Sequence, residues 1–225
     1  LQDYPEAVKW YRLAAEQGDQ ESQFLLGWNV NGIAEGNEQD YESVKWFEDF
    51  YKGLVALEAY DYATALEELL PLAEQGDARA QSFLGGMYAL GTGVLQDYPE
   101  AVKWYRLAAE QGNVSAQVSL AFAFHSGAGV EQDYFAAVKW FTLAARQGNA
   151  IAQFQLALMY RRGTGVAQEN VRSYMWFSVA STNGDIHKNK HNRDKTAAKM
   201  TAADISKAQA MARQCMSSRY RKCGY

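Results

Sequence analysis

The sequence predicts an all-α protein, a right-handed α-solenoid of stacked two-helix hairpins with 36 residues per unit. One observation is the tryptophan spacing, since Trp104, Trp140 and Trp176 lie 36 residues apart. Another is the stretch LQDYPEAVKWYRLAAEQG, which occupies residues 1–18 and returns unchanged at 95–112. Such periodicity is typical of stacked repeats, because a single hairpin cannot bury its own apolar stripe.

Three complete units are visible, at residues 77–112, 113–148 and 149–184. In the first helix of each unit, three residues recur at i, i+4 and i+8, which places them on one stripe of a helix. These stripes are Ala80, Leu84 and Tyr88; Ala116, Leu120 and Phe124; and Ala152, Leu156 and Tyr160. We expect the stripes to pack with the three tryptophans and the alanines of the second helices.

The first unit shows how each hairpin turns and ends. Gly91 and Gly93 end the first helix and provide backbone freedom for the loop. Asp97 is a typical N-cap for the second helix, and Glu100 completes the D-x-x-E pattern of a capping box. Gly112 ends the second helix. All three glycines recur in the next two units, so the same punctuation is expected there.

The full pattern of the first unit is A-x-x-x-L-G-x-x-Y-x-x-G-x-G-V-x-x-D-x-x-x-A-x-x-W-x-x-x-A-A-x-x-G. It resembles the Sel-one-like repeat (SLR), a relative of the tetratricopeptide repeat. The later units depart from the pattern at Ala121, Phe124, Ala157, Glu169, Ser173 and Ser181. The resemblance implies a helical adaptor that takes part in assembly, signalling or host contact.

The N-terminal part is irregular. Residues 49–76 are similar to a short tetratricopeptide-like unit without the G-x-G-V loop, and residues 1–48 hold truncated and degenerate units. Within the latter, residues 1–18 are a second helix without its first helix, as expected of a truncated or recombined array. We expect this uncovered helix to permit self-association. No glycine-marked turn separates the second helix of the degenerate unit, about 41–52, from the first helix of the next, about 47–59. Either one helix serves both units or two arrays join here, and we expect one long or kinked helix over about 41–59.

Residues 185–225 predict a C-terminal helical cap with a basic tail, in which Thr201 and Asp204 begin the second helix. This segment has ten basic and three acidic residues, a net charge of +7, whereas the other 184 residues have twelve basic and twenty-three acidic, a net charge of −11. An acidic body argues against nucleic acid as a partner. The apolar stretches are too short to span a bilayer.

The sequence predicts no catalytic constellation, cofactor site or metal site. No serine is followed three positions later by lysine, and the G-x-G loops lack the lysine of a phosphate-binding loop. His187 and His191 lie at i, i+4 beside Asp185, but the segment offers no third strong ligand. A solvated basic helix is the simpler interpretation.

Cys215 and Cys223 are the only cysteines, eight positions apart. A chain that folds back after a helix ending near Cys215 brings them within disulfide reach, although two free thiols are the alternative. A disulfide favours a bacterial periplasmic or secreted protein, and free thiols favour a cytoplasmic one.

The concave surface of a solenoid, lined by the first helices, is the usual binding surface. Residues two positions beyond the packing stripe lie about 200° round the helix and are expected in this groove. The candidates are Leu90, Val118, Phe122, His125, Phe154, Leu158, Arg161 and Arg162. Apolar members suit a partner's helix or extended segment, and the arginine pair suits a carboxylate. The alternative is that these aromatic residues pack inside the superhelix or under the basic tail.

Taken with the family resemblance, these features predict a protein–protein interaction scaffold that holds a protein or peptide in the groove. The second hypothesis is an enzyme, a weak hydrolase at most, or a binder of a small molecule or cell-wall ligand, as suggested for cysteine-rich relatives that bind β-lactams. A disulfide in every repeat, typical of those relatives, is missing here.

Overall fold

The computed structural model describes residues 38–184 and 186–223, where the protein forms ten α-helices and no β-strand. The helices are α1 Glu38–Glu58, α2 Tyr62–Glu74, α3 Ala78–Leu90, α4 Tyr98–Glu110, α5 Val114–Ser126, α6 Tyr134–Arg146, α7 Ala150–Arg162, α8 Asn170–Asn183, α9 Ile186–Ala197 and α10 Ala202–Ser217. The chain divides into two compact units, residues 1–68 and 69–225. The expectations for residues 1–37 lie outside the described residues.

In the first unit, the single helix expected near 41–59 is present as α1, which continues without a break past Trp46. The rings of Trp46 and Phe50 stack on it at a centroid distance of 5.7 Å. After α1, Tyr60 adopts a left-handed φ of 59°. The Asp61 carboxylate accepts hydrogen bonds from the Thr64 amide and hydroxyl at 3.2 and 2.7 Å. These bonds cap α2 and lower the pKa of Asp61.

The second unit is an α-solenoid, as the repeat pattern predicts. Its hairpins α3–α4, α5–α6 and α7–α8 follow one another, and consecutive helices pack together. All members of the three predicted stripes are buried except Tyr88 and Tyr160, which are half-buried. Trp140 and Trp176 are also buried, whereas Trp104 is half-buried, and its indole nitrogen has no hydrogen-bond partner among the described residues.

The predicted caps form with one difference. Asp97 accepts a hydrogen bond from the Glu100 amide at 2.9 Å, as expected of an N-cap. The Glu100 carboxylate, however, accepts from Lys103 at 2.6 Å instead of completing the capping box. The reciprocal box is present at α10, where Thr201 and Asp204 bond to each other's backbone amides. Capping boxes therefore cannot be assigned from the residue pair alone, since the D-x-x-E pair of the first unit forms only half of the box.

The second glycine of the last two loops is required by close packing between units. Gly129 has a φ of +73°, and a Cβ there would overlap the carbonyl group of Tyr98 in the preceding hairpin. Gly165 lies against the carbonyl group of Tyr134 in the same way. These positions fix how one hairpin stacks on the previous one, which is a role beyond the loop flexibility that the sequence suggested.

Buried glutamines connect successive hairpins. Gln117 on α5 donates from Nε2 to the carbonyl of Ala109 at 3.1 Å, and its Oε1 accepts from Gln147 at 2.9 Å. Gln147 also donates to the carbonyl of Gly112 at 3.1 Å, so each amide bridges two hairpins. The equivalent bonds elsewhere join Gln81 to Ala73 and Gln111, and Gln153 to Ala145 and Asn183. This polar ladder repeats with the 36-residue period.

The C-terminal cap consists of α9 and α10, which both pack on α8. The carbonyl of Ala180, near the end of α8, accepts from the buried Asn189 side chain at 3.2 Å. Cys215 and Cys223 are bonded to each other, with their Cα atoms 4.4 Å apart. This closes the chain after α10 and places the Tyr220 hydroxyl 2.9 Å from Oδ1 of Asn183. None of the described helices is both long and apolar enough to cross a membrane.

Candidate protein-interaction surface

The predicted groove residues separate into exposed, half-buried and buried positions. Leu90 and Phe122 are 74% and 39% exposed, and Arg162 is exposed as well. His125, Phe154, Leu158 and Arg161 are half-buried. The exposed side of α5 and α7 thus carries apolar and aromatic residues next to polar ones. We call the four residues Phe122, Phe154, Leu158 and Arg162 the first-helix row.

Val118 corrects the prediction, because it is only 9% exposed and belongs to the same buried cluster as Leu120 and Phe141. The helix α5 packs against α3, α4 and α6, so its core face is wider than one stripe. The first helices α3 and α5 touch each other. A residue on α5 that lies about 200° from its packing stripe is therefore covered by the neighbouring hairpin. Helical angle alone could not reveal this.

The two phenylalanines of the row are held by edge-on ring contacts. Phe122 meets Phe141 of α6 at a centroid distance of 5.1 Å and an interplanar angle of 86°. Phe154 meets Phe177 of α8 at 5.7 Å and 62°. Edge-to-face geometry is the favourable arrangement for aromatic rings. Each ring is thus positioned by its own hairpin and still presents part of its surface outward.

Arg161 is engaged by the cap. Its Nη1 atom donates to Oδ1 of Asn192 on α9 at 2.8 Å, and its guanidinium lies 5.5 Å from the Phe177 ring centroid. Burial, with a smaller contribution from the neighbouring Arg162, lowers the pKa of Arg161. The two arginines, which were predicted to hold one carboxylate together, therefore have different surroundings. Arg161 binds the cap helix, and Arg162 is exposed.

A cavity of about 240 Å³ lies where α3, α4 and α5 meet, and Phe122 forms part of its wall. Its other lining residues are Ala89, Tyr98, Ala101, Val102, Tyr105, Ser119, Ala123, Ser126 and Ala128. Burial raises the pKa of Tyr105, an effect that a hydrogen bond with Ser119 partly offsets, so this phenol is neutral at physiological pH. The sequence did not predict the cavity, because no motif shows that small residues on three different helices will face one another.

The described residues contain no group of three or more histidine, cysteine or acidic side chains that converges on a metal-sized space. His191 is exposed on α9. The side chain of His187, and Asp185 as a whole, lie outside the described residues.

The stacked hairpins, with the first-helix row on their exposed side, define the class of protein. It is an α-solenoid repeat protein. The sequence profile of the Sel1 repeat matches residues 1–19, 78–113, 114–149 and 150–185, which is more than half of the chain. The chain therefore belongs to the Sel1 repeat family. Proteins of this family generally act as protein-interaction scaffolds.

Several solved structures are similar to this chain, and two of them illustrate the shared fold. The crystal structure of c5321, a protective antigen present in uropathogenic Escherichia coli strains that displays an SLR fold, is 32% identical, with a TM-score of 0.64. That comparison covers 95% of this chain but 42% of c5321. A Sel1 repeat protein from Oxalobacter formigenes is 24% identical over 77% of both chains, with a TM-score of 0.58, which shows the fold alone. No functionally curated protein matches the chain.

Proposed function

We propose that this chain is a protein-interaction scaffold that binds a peptide segment of its partner along the first-helix row. The observation that carries the proposal is the exposure of Phe122, which its edge-on contact with Phe141 holds in place. An aromatic side chain that is both rigid and partly exposed is a favourable binding anchor, because little conformational entropy is lost on binding. Family membership supports a scaffold over an enzyme.

The test is selection of random dodecapeptides on the whole protein, followed by affinity measurement for the selected peptides. The variant Phe122→Ala/Phe154→Ala removes both rings of the row. We expect its Kd for a selected peptide to rise about tenfold or more, the equivalent of losing one good apolar contact.

The matched control is Leu107→Ala/Leu143→Ala. These leucines are exposed and also lie 36 residues apart, but on the second helices α4 and α6. We expect this variant to bind like the wild type. Circular dichroism and thermal unfolding establish that both double variants are folded. Equal affinity of a folded Phe122→Ala/Phe154→Ala variant for every selected peptide contradicts the proposal.

The second candidate function, binding of a small molecule or cell-wall ligand, has one observation in its favour, the cavity beside Phe122. Its volume of about 240 Å³ is smaller than the range of about 300–1,000 Å³ that is usual for small-molecule sites. The cavity lining also contains no charged side chain to orient a β-lactam or peptidoglycan carboxylate. The scaffold function therefore accounts better for the site.

We also propose that the protein is periplasmic or secreted, with the cytoplasm as the alternative. The bonded pair Cys215 and Cys223 supports this, because structural disulfides persist in oxidising compartments. Thiol labelling of the protein as isolated from its native cells, without reductant, tests the proposal. A bonded pair labels at neither cysteine, and labelling of both cysteines contradicts export.

A further inference from the structure

The cavity results from small residues at one junction between hairpins. Four of its lining residues are Ala89, Ser119, Ala123 and Ser126. At the next junction the residues 36 positions later are all larger, namely His125, Gln155, Met159 and Arg162. There, the His125 ring lies edge-on against Tyr134 at 5.3 Å, and Met159 is buried. The cavity is thus a feature of the α3–α4–α5 junction and not of the repeat itself.

Four polar side chains line the cavity wall, and each has a hydrogen-bond partner within the chain. Ser126 donates from Oγ to the carbonyl of Phe122 at 2.8 Å. The Tyr98 hydroxyl accepts from Gln96 at 3.1 Å, and Tyr105 is hydrogen-bonded with Ser119. The remaining wall is formed by alanines, Val102 and aromatic rings, and none of its side chains is charged. A charged occupant would therefore find no side chain of opposite charge in the wall to offset its loss of hydration.

The size of the cavity indicates a single side chain. A volume of about 240 Å³ is large for a few water molecules, each of which takes about 30 Å³, and small for a whole ligand. Phe122 is both a wall of the cavity and a member of the first-helix row. A chain that places a side chain in the cavity can therefore continue along the row.

We infer that this cavity binds one uncharged, apolar side chain of leucine, methionine or phenylalanine size, supplied by the partner polypeptide. The inference rests on the proposed function and adds the chemistry of the partner's anchor residue. It also predicts where on the row that anchor lies, at the α3–α4–α5 junction.

The direct test uses N-acetyl-leucinamide and N-acetyl-phenylalaninamide as probes. The charged comparison is the α-amide of N-acetyl-aspartic acid, which keeps its side-chain carboxylate. Four alanines line the cavity, Ala89, Ala101, Ala123 and Ala128, so a protein labelled with ¹³C at its alanine methyls reports binding in NMR spectra. We expect saturable shifts at these four methyls with the two apolar probes, in the millimolar range of affinity. The charged probe should leave them unchanged.

The variant Ala123→Met fills the cavity with the residue that the next unit already carries at Met159. At the three alanine methyls that remain in the cavity, we expect the apparent affinity for both apolar probes to fall by about tenfold or more, because the binding volume is lost. The variant Ala89→His copies His125 in the same way and guards against misfolding of the first variant. The methyl groups of Ala137 and Ala144 on α6 report folding. If their chemical shifts match those of the wild type, the variant is folded.

Three results would overturn the inference. They are the absence of probe-induced shifts at the cavity methyls, a probe affinity in both filled variants that equals that of the wild type, or binding of the charged probe as tight as that of the apolar probes. These results differ from a failure of the proposed function. If selected dodecapeptides bind wild type and Ala123→Met equally well, the scaffold function stands and the anchor site is wrong. If no peptide binds but the probes do, the cavity is a binding site and the scaffold proposal is wrong.

Discussion

Gln117 shows how a single residue joins two hairpins of the solenoid. Its side chain is 3% exposed, and its amide donates to Ala109 and accepts from Gln147. A buried carbonyl or amide without its partner costs about 1–3 kcal/mol, which is more than an exposed hydrogen bond contributes. Residues like Gln117 therefore stabilise one particular stacking of hairpins over others.

We predict that Gln117→Met, which keeps the chain length but removes both bonds, lowers the free energy of unfolding by about 2–3 kcal/mol. Urea denaturation followed by circular dichroism measures the change. The control is Gln132→Met, because Gln132 makes a similar bond to the carbonyl of His125 at 2.9 Å but is exposed. Water replaces that bond, so a loss below about 0.5 kcal/mol is expected. Equal losses in the two variants would show that the ladder adds nothing beyond ordinary surface bonds.

Gly129 offers a second test at this scale. Alanine at a left-handed position costs about 1–2 kcal/mol through backbone strain, and overlap with the Tyr98 carbonyl adds about 1–3 kcal/mol. Gly112 has a similar φ of +92° but no atom within 4 Å of a built Cβ. We predict that Gly129→Ala destabilises the protein clearly more than Gly112→Ala, measured by chemical denaturation. Equal effects would mean that the hairpins separate slightly at no cost.

At the residue scale, the sequence was informative about local geometry and less so about contacts between units. The capping role of Asp97 and the helix-ending role of Gly91 follow from short-range spacing, and both are present. The overlap of Gly129 with Tyr98 depends on how two hairpins stack, which no local pattern encodes. Gln81, Gln117 and Gln153 could have been found, since polar residues at a 36-residue period within apolar helices are unusual.

At the scale of elements, the cap shows how a short covalent link supplements packing. The helix α10 contributes the buried residues Ala208, Ala212 and Cys215 to its contacts. Beyond it, the bond between Cys215 and Cys223 holds a segment with no further helix in the described residues. Closing a loop of this length removes unfolded-state entropy equivalent to about 2–3 kcal/mol.

We therefore predict that Cys215→Ala/Cys223→Ala lowers the free energy of unfolding by about 2–3 kcal/mol. Reduction of the wild type should produce a similar loss. The reductant should have no effect on the double variant, which serves as the control for non-specific effects. A wild type whose unfolding midpoint does not change with reductant would contradict this contribution of the disulfide.

Element prediction succeeded where the helical pattern is strong and partly failed where a helix has several neighbours. The two helices after Gly184 and the unbroken α1 were both predicted from the sequence, since Thr201 and Asp204 mark the start of α10 and no glycine-marked turn interrupts α1. The assignment of Val118 to the exposed side of α5 failed, because α5 has three packing partners. Likewise, the Arg161 bond to Asn192 depends on where α9 docks, and nothing in the α7 sequence specifies that.

At the scale of the whole molecule, a repeat array needs its last apolar face covered. The buried residues Met175, Val179 and Ala180 lie on α8, the last helix of the array, and both cap helices pack against it. In an array whose stability is the sum of units and their interfaces, loss of the cap destabilises the last hairpin first. The cap is thus part of the fold, although it carries none of the repeat pattern.

Two substitutions in α10 test this role of the cap. Ala212 is buried, whereas Ala210 is exposed on the same helix. We predict that Ala212→Glu releases α10, because an unpaired carboxylate cannot remain buried, and that Ala210→Glu has little effect. Relative to the wild type, Ala212→Glu should accelerate amide hydrogen exchange in α7 and α8 more than in α3 and α4. The control Ala210→Glu should not accelerate it. Uniformly faster exchange throughout the array would instead mean that the hairpins unfold as one cooperative unit, and unchanged exchange would mean that α8 is stable without α10.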